Sequence, residues 1–307
     1  MNQLESVVVA VDGLSKCGKT TVIEAIEQEA AFQAGVIPDI FRHRGDWGNL
    51  VGNVPVQTLG ELQQSLTFNS ITAVSAGNAF RAAVLLAALD ALNGNNKTSF
   101  NDSDYATMQE LLAEPGIYDV LQHDPNIGAH VSMVAKLAGV QALCGQIATD
   151  WVQDAYTKDG GGNLVVFDAR NPSDLLARHG VVGIGRGRIH PATLMPIYID
   201  TPADVAAERL DGDYHKNLEL VELRRHVDAT RDEYPVVVPD VLHDDIMQWT
   251  RQFYDRTPRT EVAVPYRFDN GRETTLDNIK FFGGFVSATA QDTAYFLHHQ
   301  KTQQGAI

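Results

Sequence analysis

Cysteine is nearly absent: Cys17 and Cys144 are the only two in 307 residues. Two thiols cannot build a disulfide framework, and their scarcity predicts a reducing, cytoplasmic setting. Long apolar runs are also missing. None approaches the ~18 residues of a membrane helix, so no membrane partner is expected. The opening residues, MNQLESVVVAVDG, run straight into a strand-like stretch without the build of a signal peptide. Basic side chains are outnumbered, 24 against 39 acidic, which leaves a formal charge of −15. Nucleic-acid binding rests on Lys and Arg meeting phosphates, so a surface made mainly for DNA or RNA is not expected. The histidines are scattered, and none pairs with another His or with Cys at zinc-ligand spacing. What is present is a chain 44% hydrophobic and 21% charged, long enough to bury a core without staples.

The most informative stretch comes first. Residues 7 to 12, VVVAVD, are a short β-branched run suited to a strand buried on both faces. The loop after it reads Gly13-Leu-Ser15-Lys16-Cys17-Gly18-Lys19-Thr20, followed by Thr21 and a helix-like stretch. That is G-x-x-x-x-G-K-[ST] in its strand–loop–helix context. Glycines let backbone N–H groups turn inward around a polyphosphate, and the helix N-terminus adds its positive end. In this arrangement Lys19 reaches the terminal phosphates and Thr20 holds Mg²⁺. The loop therefore predicts ATP and Mg²⁺ as cofactors, with Gly13, Ser15, Lys16, Cys17, Gly18, Lys19, Thr20 and Thr21 lining the nucleotide. Cys17 reads as a small loop residue rather than a redox centre.

Further along, residues 38–45 suggest a second strand, and residues 50–70 are mixed. An Ala- and Leu-rich helix is expected from about residue 77. Leu164–Phe167 is a buried strand ending at Asp168. Leu194–Ile199 is another, its core starting after Pro196. A charged helical stretch covers 203–232, a further helix 241–256, and a last core strand 261–268. The alternation predicts an α/β fold of the P-loop NTPase type, a parallel sheet of about five strands with helices on both faces. A single domain over 1–307 is expected, with an acceptor-binding insertion at 38–160, a lid at 209–236 and a mobile tail at 285–307. An acidic residue ending a second buried strand commonly sits beside Mg²⁺, which makes Asp168 the partner of Thr20. Arg170, two residues on, offers a fork of donors for phosphate oxygens.

Several segments then recur in one order. They are Gly77-Asn-Ala-Phe80-Arg81-Ala-Ala-Val, Val131-Ser132-Met-Val-Ala-Lys, Val165-Val-Phe-Asp168-Ala-Arg170-Asn171, and Pro196-Ile-Tyr-Ile-Asp200 running into Val205-Ala-Ala-Glu-Arg209. The last is Arg224-x3-Asp228-x2-Arg231, whose positions share one helical face. Together with the loop, the set resembles the bacterial cytidylate kinases. The resemblance implies that Arg81, Arg170 and Arg231 hold the acceptor phosphate and that Ser132 touches the base. It also implies that Arg224, Asp228 and Arg231 act from a lid over the phosphates and sugar.

The departures bear on the acceptor. Where the family reads cytosine with an Arg and an Asp, this chain has Gln141 and Asn171. An amide carries both a donor and an acceptor, so uracil- or thymine-like edges become readable. About 35 residues are inserted before the Arg81 segment, among them Asp46. That carboxylate is either a turn cap or a base facing an acceptor hydroxyl. Gly183-Ile-Gly-Arg186-Gly-Arg188-Ile-His190 is a basic spot that reads first as a plain loop. Three functions are thus in view. The first is transfer of the ATP γ-phosphoryl to a pyrimidine nucleotide. The second is phosphorylation of a hydroxymethyl-pyrimidine such as 5-hydroxymethyluracil, in a nucleotide or in viral DNA. The third is nucleotide binding for regulation, without transfer.

Overall fold

The computed structural model describes residues 4–14, 16–33, 68–117, 120–121, 124–183, 185, 187–229 and 266–304. Within them a five-stranded, all-parallel sheet forms the centre: β1 (Val7–Gly13), β2 (Ser70–Ser75), β3 (Asn163–Asp168), β4 (Leu194–Asp200) and β5 (Tyr266–Asp269), in the order β2-β3-β1-β4-β5. β1 and β3 are almost wholly buried, as continuous Val/Leu/Phe runs require when helices cover both faces.

Side-chain alternation divides the core. Val7, Val9, Val11, Leu164, Val166, Met195, Ile197 and Ile199 face α1 (Lys19–Gln33) and α9 (Leu276–Gln304). Val8, Ala10, Val165, Phe167 and Leu194 face α5 (Val140–Thr157) and α6 (Pro172–Arg178). Each fully buried Val, Leu or Ile contributes about 1.5–3 kcal/mol relative to exposure. At Gly283 of α9 a Cβ would stand 2.7 Å from the Ala25 carbonyl carbon, so the glycine lets α9 lie directly on α1. Phe282 stacks on Phe268 of β5 with ring centroids 4.1 Å apart. A third cluster joins α2 (Ala76–Leu92), α3 (Asp102–Ala113), α4 (Pro125–Val134) and α5, through a row of alanines on α2. The remaining helices are α7 (Ala203–Glu208) and α8 (Tyr214–Ala229).

Several expectations shift. Ser70–Ser75, within the stretch expected to be insertion, is a sheet strand. It lies at the edge, half-exposed and fused to α2 without a breaker, so its periodicity is faint. β4 begins at Leu194 and includes Pro196. The β5 ladder starts only at Ile197, so the proline lies ahead of the stretch paired on both sides. The 203–232 stretch holds two helices separated around Gly212 (φ +107°). Residues 285–304, expected as a mobile tail, belong to α9, where Val286, Ala290 and Ala294 are buried. The expected strand at 38–45, the helix at 241–256 and residues 261–265 of the last strand lie outside the described residues.

Candidate anion-binding site

The ladder registers bring the strand ends level. Val11 lies opposite Asp168, Ser75 opposite Asp168, and Asp12 opposite Tyr198. Ligands of open parallel sheets bind at this carboxyl edge, where the strand order switches direction. The glycine loop leaves β1 there. Gly13 (φ +147°) tolerates no side chain, since a Cβ would stand 2.6 Å from both Cys17 Sγ and the Ile199 carbonyl oxygen. Lys16 (φ +63°) and Gly18 (φ +87°) are also left-handed. Thr201 Oγ1 and Asn270 Nδ2 both donate to the Cys17 carbonyl, at 2.8 and 2.9 Å, and tie the loop to the ends of β4 and β5. Lys19 Nζ donates to the Gly13 carbonyl at 2.8 Å, and Thr20 and Thr21 are exposed in the first turn of α1.

Under the loop lies Asp12, 8% exposed. Its carboxylate accepts the Gly13 N–H at 2.7 Å and the Asn171 N–H at 3.2 Å. Burial raises its pKa, opposed by those N–H groups and by Lys19 and Arg170. Asp12 therefore couples the end of β1 to the turn carrying Arg170. Cys17 and Cys144 are buried, and desolvation raises both thiols, Cys144 to about 12.

A cavity of about 240 Å³ opens beside Lys19, Asp168 and Arg170. Phe80, Val131, Ala135 and Leu175 give it apolar walls, and Gln141 gives it an amide. Gln141 Nε2 donates to the Ala135 carbonyl at 3.3 Å, so its oxygen is left as an acceptor for a ligand. Arg81 donates to Asn78 at 3.1 Å on α2. Lys16 has a lowered pKa, through desolvation and then through the positive charges of Arg224 and Arg81. Asp168 Oδ2 is met by Ser75 Oγ at 3.4 Å.

Lys16, Lys19, Arg81, Asp168, Arg170, Gln141 and Arg224 are thus brought to one edge of the sheet. Asn171 joins them through its N–H. Ser132, expected at the base, is exposed and absent from the cavity wall, which α4 lines instead with Val131 and Ala135. Asp228 falls on α8. Ser15, Asp46 and Arg231 lie outside the described residues. The Gly183–His190 loop is closed by a Val182–Ile189 bridge, and Gln153 donates to the Gly187 carbonyl at 2.9 Å. Sequence reasoning missed Asp12, Thr201 and Asn270. Asp12 carried a signal, as an acid ending a buried strand before the loop glycine; the other two carried none.

The residues fit the cofactors that the loop implies. Left-handed backbone at Lys16 and Gly18, with converging cations, suits a polyphosphate. The oxygen donors Thr20 and Asp168 suit a hard divalent cation such as Mg²⁺. Among the described residues no helix is long and apolar enough to cross a membrane. No protein-family model matches the chain, and no curated protein sequence matches it.

Proposed function

We propose that this chain is a phosphotransferase that moves the γ-phosphoryl group of ATP to a pyrimidine nucleotide. One observation carries the reading. Lys19 of the loop and Arg170 after β3 line one cavity of an acidic protein, and the Lys16 pKa is lowered first by desolvation and then by the charges of Arg224 and Arg81. Like charges gathered this way are unfavourable until an anion enters. A binder of ATP alone has no use for a cation beyond the loop such as Arg170, on the wall of the cavity beside Lys19.

In this reading the loop N–H groups and Lys19 hold the donor phosphates. Arg81 and Arg170 hold the acceptor phosphate, with the base in the slot bearing Phe80 and Gln141. Thr20 and Asp168 are the residues that would hold Mg²⁺, whose chemistry is to screen charge between the phosphates. Arg224 and Asp228 act from the lid near the sugar, and Arg231 of the same motif joins Arg81 and Arg170 in clamping the transferring group. Catalysis of this kind is positioning plus fixed positive charge. An ionised acceptor phosphate needs no general base.

The test is incubation with γ-labelled ATP and Mg²⁺ against CMP, dCMP, UMP, dTMP, hydroxymethyl-dUMP and DNA carrying hydroxymethyluracil. Label on a pyrimidine monophosphate is the expected outcome. Label on DNA alone moves the acceptor to a base hydroxyl, and tight ATP binding without transfer leaves a regulatory binder. Arg81→Ala is expected to lower transfer at least about 100-fold, the scale for losing a fixed charge at the reacting group, while ATP binding is retained. Loss of both would show that Arg81 serves the donor.

A further inference from the structure

The Cys17 carbonyl has more partners than a turn requires. It accepts twice, from Thr201 Oγ1 at 2.8 Å and from Asn270 Nδ2 at 2.9 Å. Thr201 follows β4 directly and Asn270 follows β5 directly, and each is 1% exposed. A carbonyl oxygen has two lone pairs, so both are taken. Two donors 184 and 253 residues away in the chain thus converge on one atom of the glycine loop.

The second donor is itself held from several sides. The Asn270 N–H donates to the Asp200 carbonyl at 2.6 Å. Arg209, at the end of α7, donates to the carbonyls of Asn270 and Gly271 at 3.2 and 2.8 Å. Arg272 returns the contact, pairing with Asp204 and Glu208 of α7 at 3.0 and 2.8 Å. Gly18 supplies the room, because a Cβ there would stand 2.7 Å from Asn270 Nδ2.

Peptide geometry turns this into a statement about the open side of the loop. The carbonyl and the N–H of a trans peptide point in opposite directions. The Cys17 carbonyl is drawn toward the ends of β4 and β5, so the Gly18 N–H is turned away from them, to the open side. Gly18 lies at φ +87°, and glycine adopts positive and negative φ about equally. Its own backbone therefore does little to fix the orientation of this peptide, and the two donors must do so. With one donor removed the buried carbonyl is still satisfied by the other. With both removed it is left costly, and turning the peptide over relieves it while carrying the N–H inward.

We propose that Thr201 and Asn270 are positioning residues that hold the Cys17–Gly18 peptide with its N–H presented to the donor phosphates, each able to do so alone. The proposal rests on the phosphate-transfer reading above. It makes affinity for the donor depend on the ends of β4 and β5 and, through Arg209, on α7.

The test is a double-mutant cycle, read by calorimetric titration of the full chain with inorganic tripolyphosphate and by urea unfolding of the same variants. Thr201→Val and Asn270→Ala are each expected to weaken tripolyphosphate by no more than about three-fold, since one donor remains. The combined variant should lose about ten-fold or more beyond the product of the two, the scale of a hydrogen bond to a charged group. Thr201→Ser keeps the hydroxyl, so in the Asn270→Ala background it should bind as Asn270→Ala does. A purely structural role would make the affinity losses additive and proportionate to the losses of stability, and that result would overturn the lock. The whole loss appearing in one single variant would overturn it too. If the combined variant fails to fold, NMR of the wild-type chain decides. The Gly18 amide proton should move downfield as tripolyphosphate binds, and an unmoved resonance would overturn the assignment. A wild-type chain that binds neither tripolyphosphate nor ADP would instead defeat the proposed function itself.

Discussion

Gly13→Ala tests the loop geometry most directly, and Gly94→Ala is its control. Both glycines sit at positive φ, +147° and +82°. Placing an L residue in such a conformation costs about 1–2 kcal/mol. At Gly94 nothing lies within 4 Å of an added Cβ, so that cost is the whole effect. At Gly13 the Cβ would lie 2.6 Å from the Ile199 carbonyl oxygen and 2.6 Å from Cys17 Sγ. The first is backbone in a central strand, and the second is buried and held in the loop. One of them must retreat by several tenths of an ångström, and overpacking of that kind adds about 1–3 kcal/mol. Gly13→Ala should therefore destabilise by about 2–5 kcal/mol, against about 1–2 for Gly94→Ala. Urea unfolding of both variants measures the difference, and titration with ADP measures its consequence. If the chain yields at Cys17, the loop moves and ADP affinity falls at least about ten-fold. Gly94→Ala should leave binding alone. Equal destabilisation in the two variants, with ADP affinity preserved in Gly13→Ala, would refute the close packing of loop against β4.

Two further outcomes follow from buried titratable groups. Asp12 has a raised folded pKa, so the folded state holds its proton more tightly than the unfolded state. Its contribution is greatest below the ordinary value of 3.8 and is lost as pH rises through the folded value. Unfolding free energies of wild type and Asp12→Asn, measured from pH 3.5 to 7, should therefore diverge with rising pH, the wild type losing ground; a constant difference would refute the assignment. Cys17 and Cys144 are 1% and 0% exposed and both resist ionisation, so a thiol reagent at pH 8 should label neither quickly in the native protein and both in denaturant. Rapid native labelling of Cys17 would mean that the loop opens away from β4.

How much of this was legible in the sequence depended on burial and on distance along the chain. β1, β3 and β4 announce themselves because both faces are covered and nearly every residue must be apolar. β2 is an edge strand with a half-buried Thr72 and an exposed Ala73, and its short run merges with α2, so nothing local separates it. The glycine-framed turn between β1 and α1 was legible because its pattern is contained in eight consecutive residues. Asn270 was not, because it acts on a carbonyl 253 residues away through packing that no local pattern encodes. Helical phase caused the other differences. On α4, Val131 and Ala135 meet the cavity, and Ser132, turned about 100° from Val131, points elsewhere. On α8 the motif draws attention to Arg224, whereas its neighbour Arg225 is the one carried inward.

The net charge and the cleft have to be understood together. A charge of −15 describes the average surface, and it disfavours long polyanions, whose many phosphates must lie across that surface. A mononucleotide, if it is the acceptor, would sample only the cleft, where the half-buried Lys19, Arg81 and Arg170 are screened less by salt than an exposed charge. If the proposed function holds, the acidic exterior would act as a filter on acceptor size rather than as an obstacle to phosphate. Its effect should be strongest at low ionic strength, where repulsion reaches furthest. A DNA acceptor could be used only by presenting one nucleotide to the cleft while the rest of the strand stays clear of the acidic surface. The same field therefore favours the small acceptor without requiring any specific contact to reject the large one.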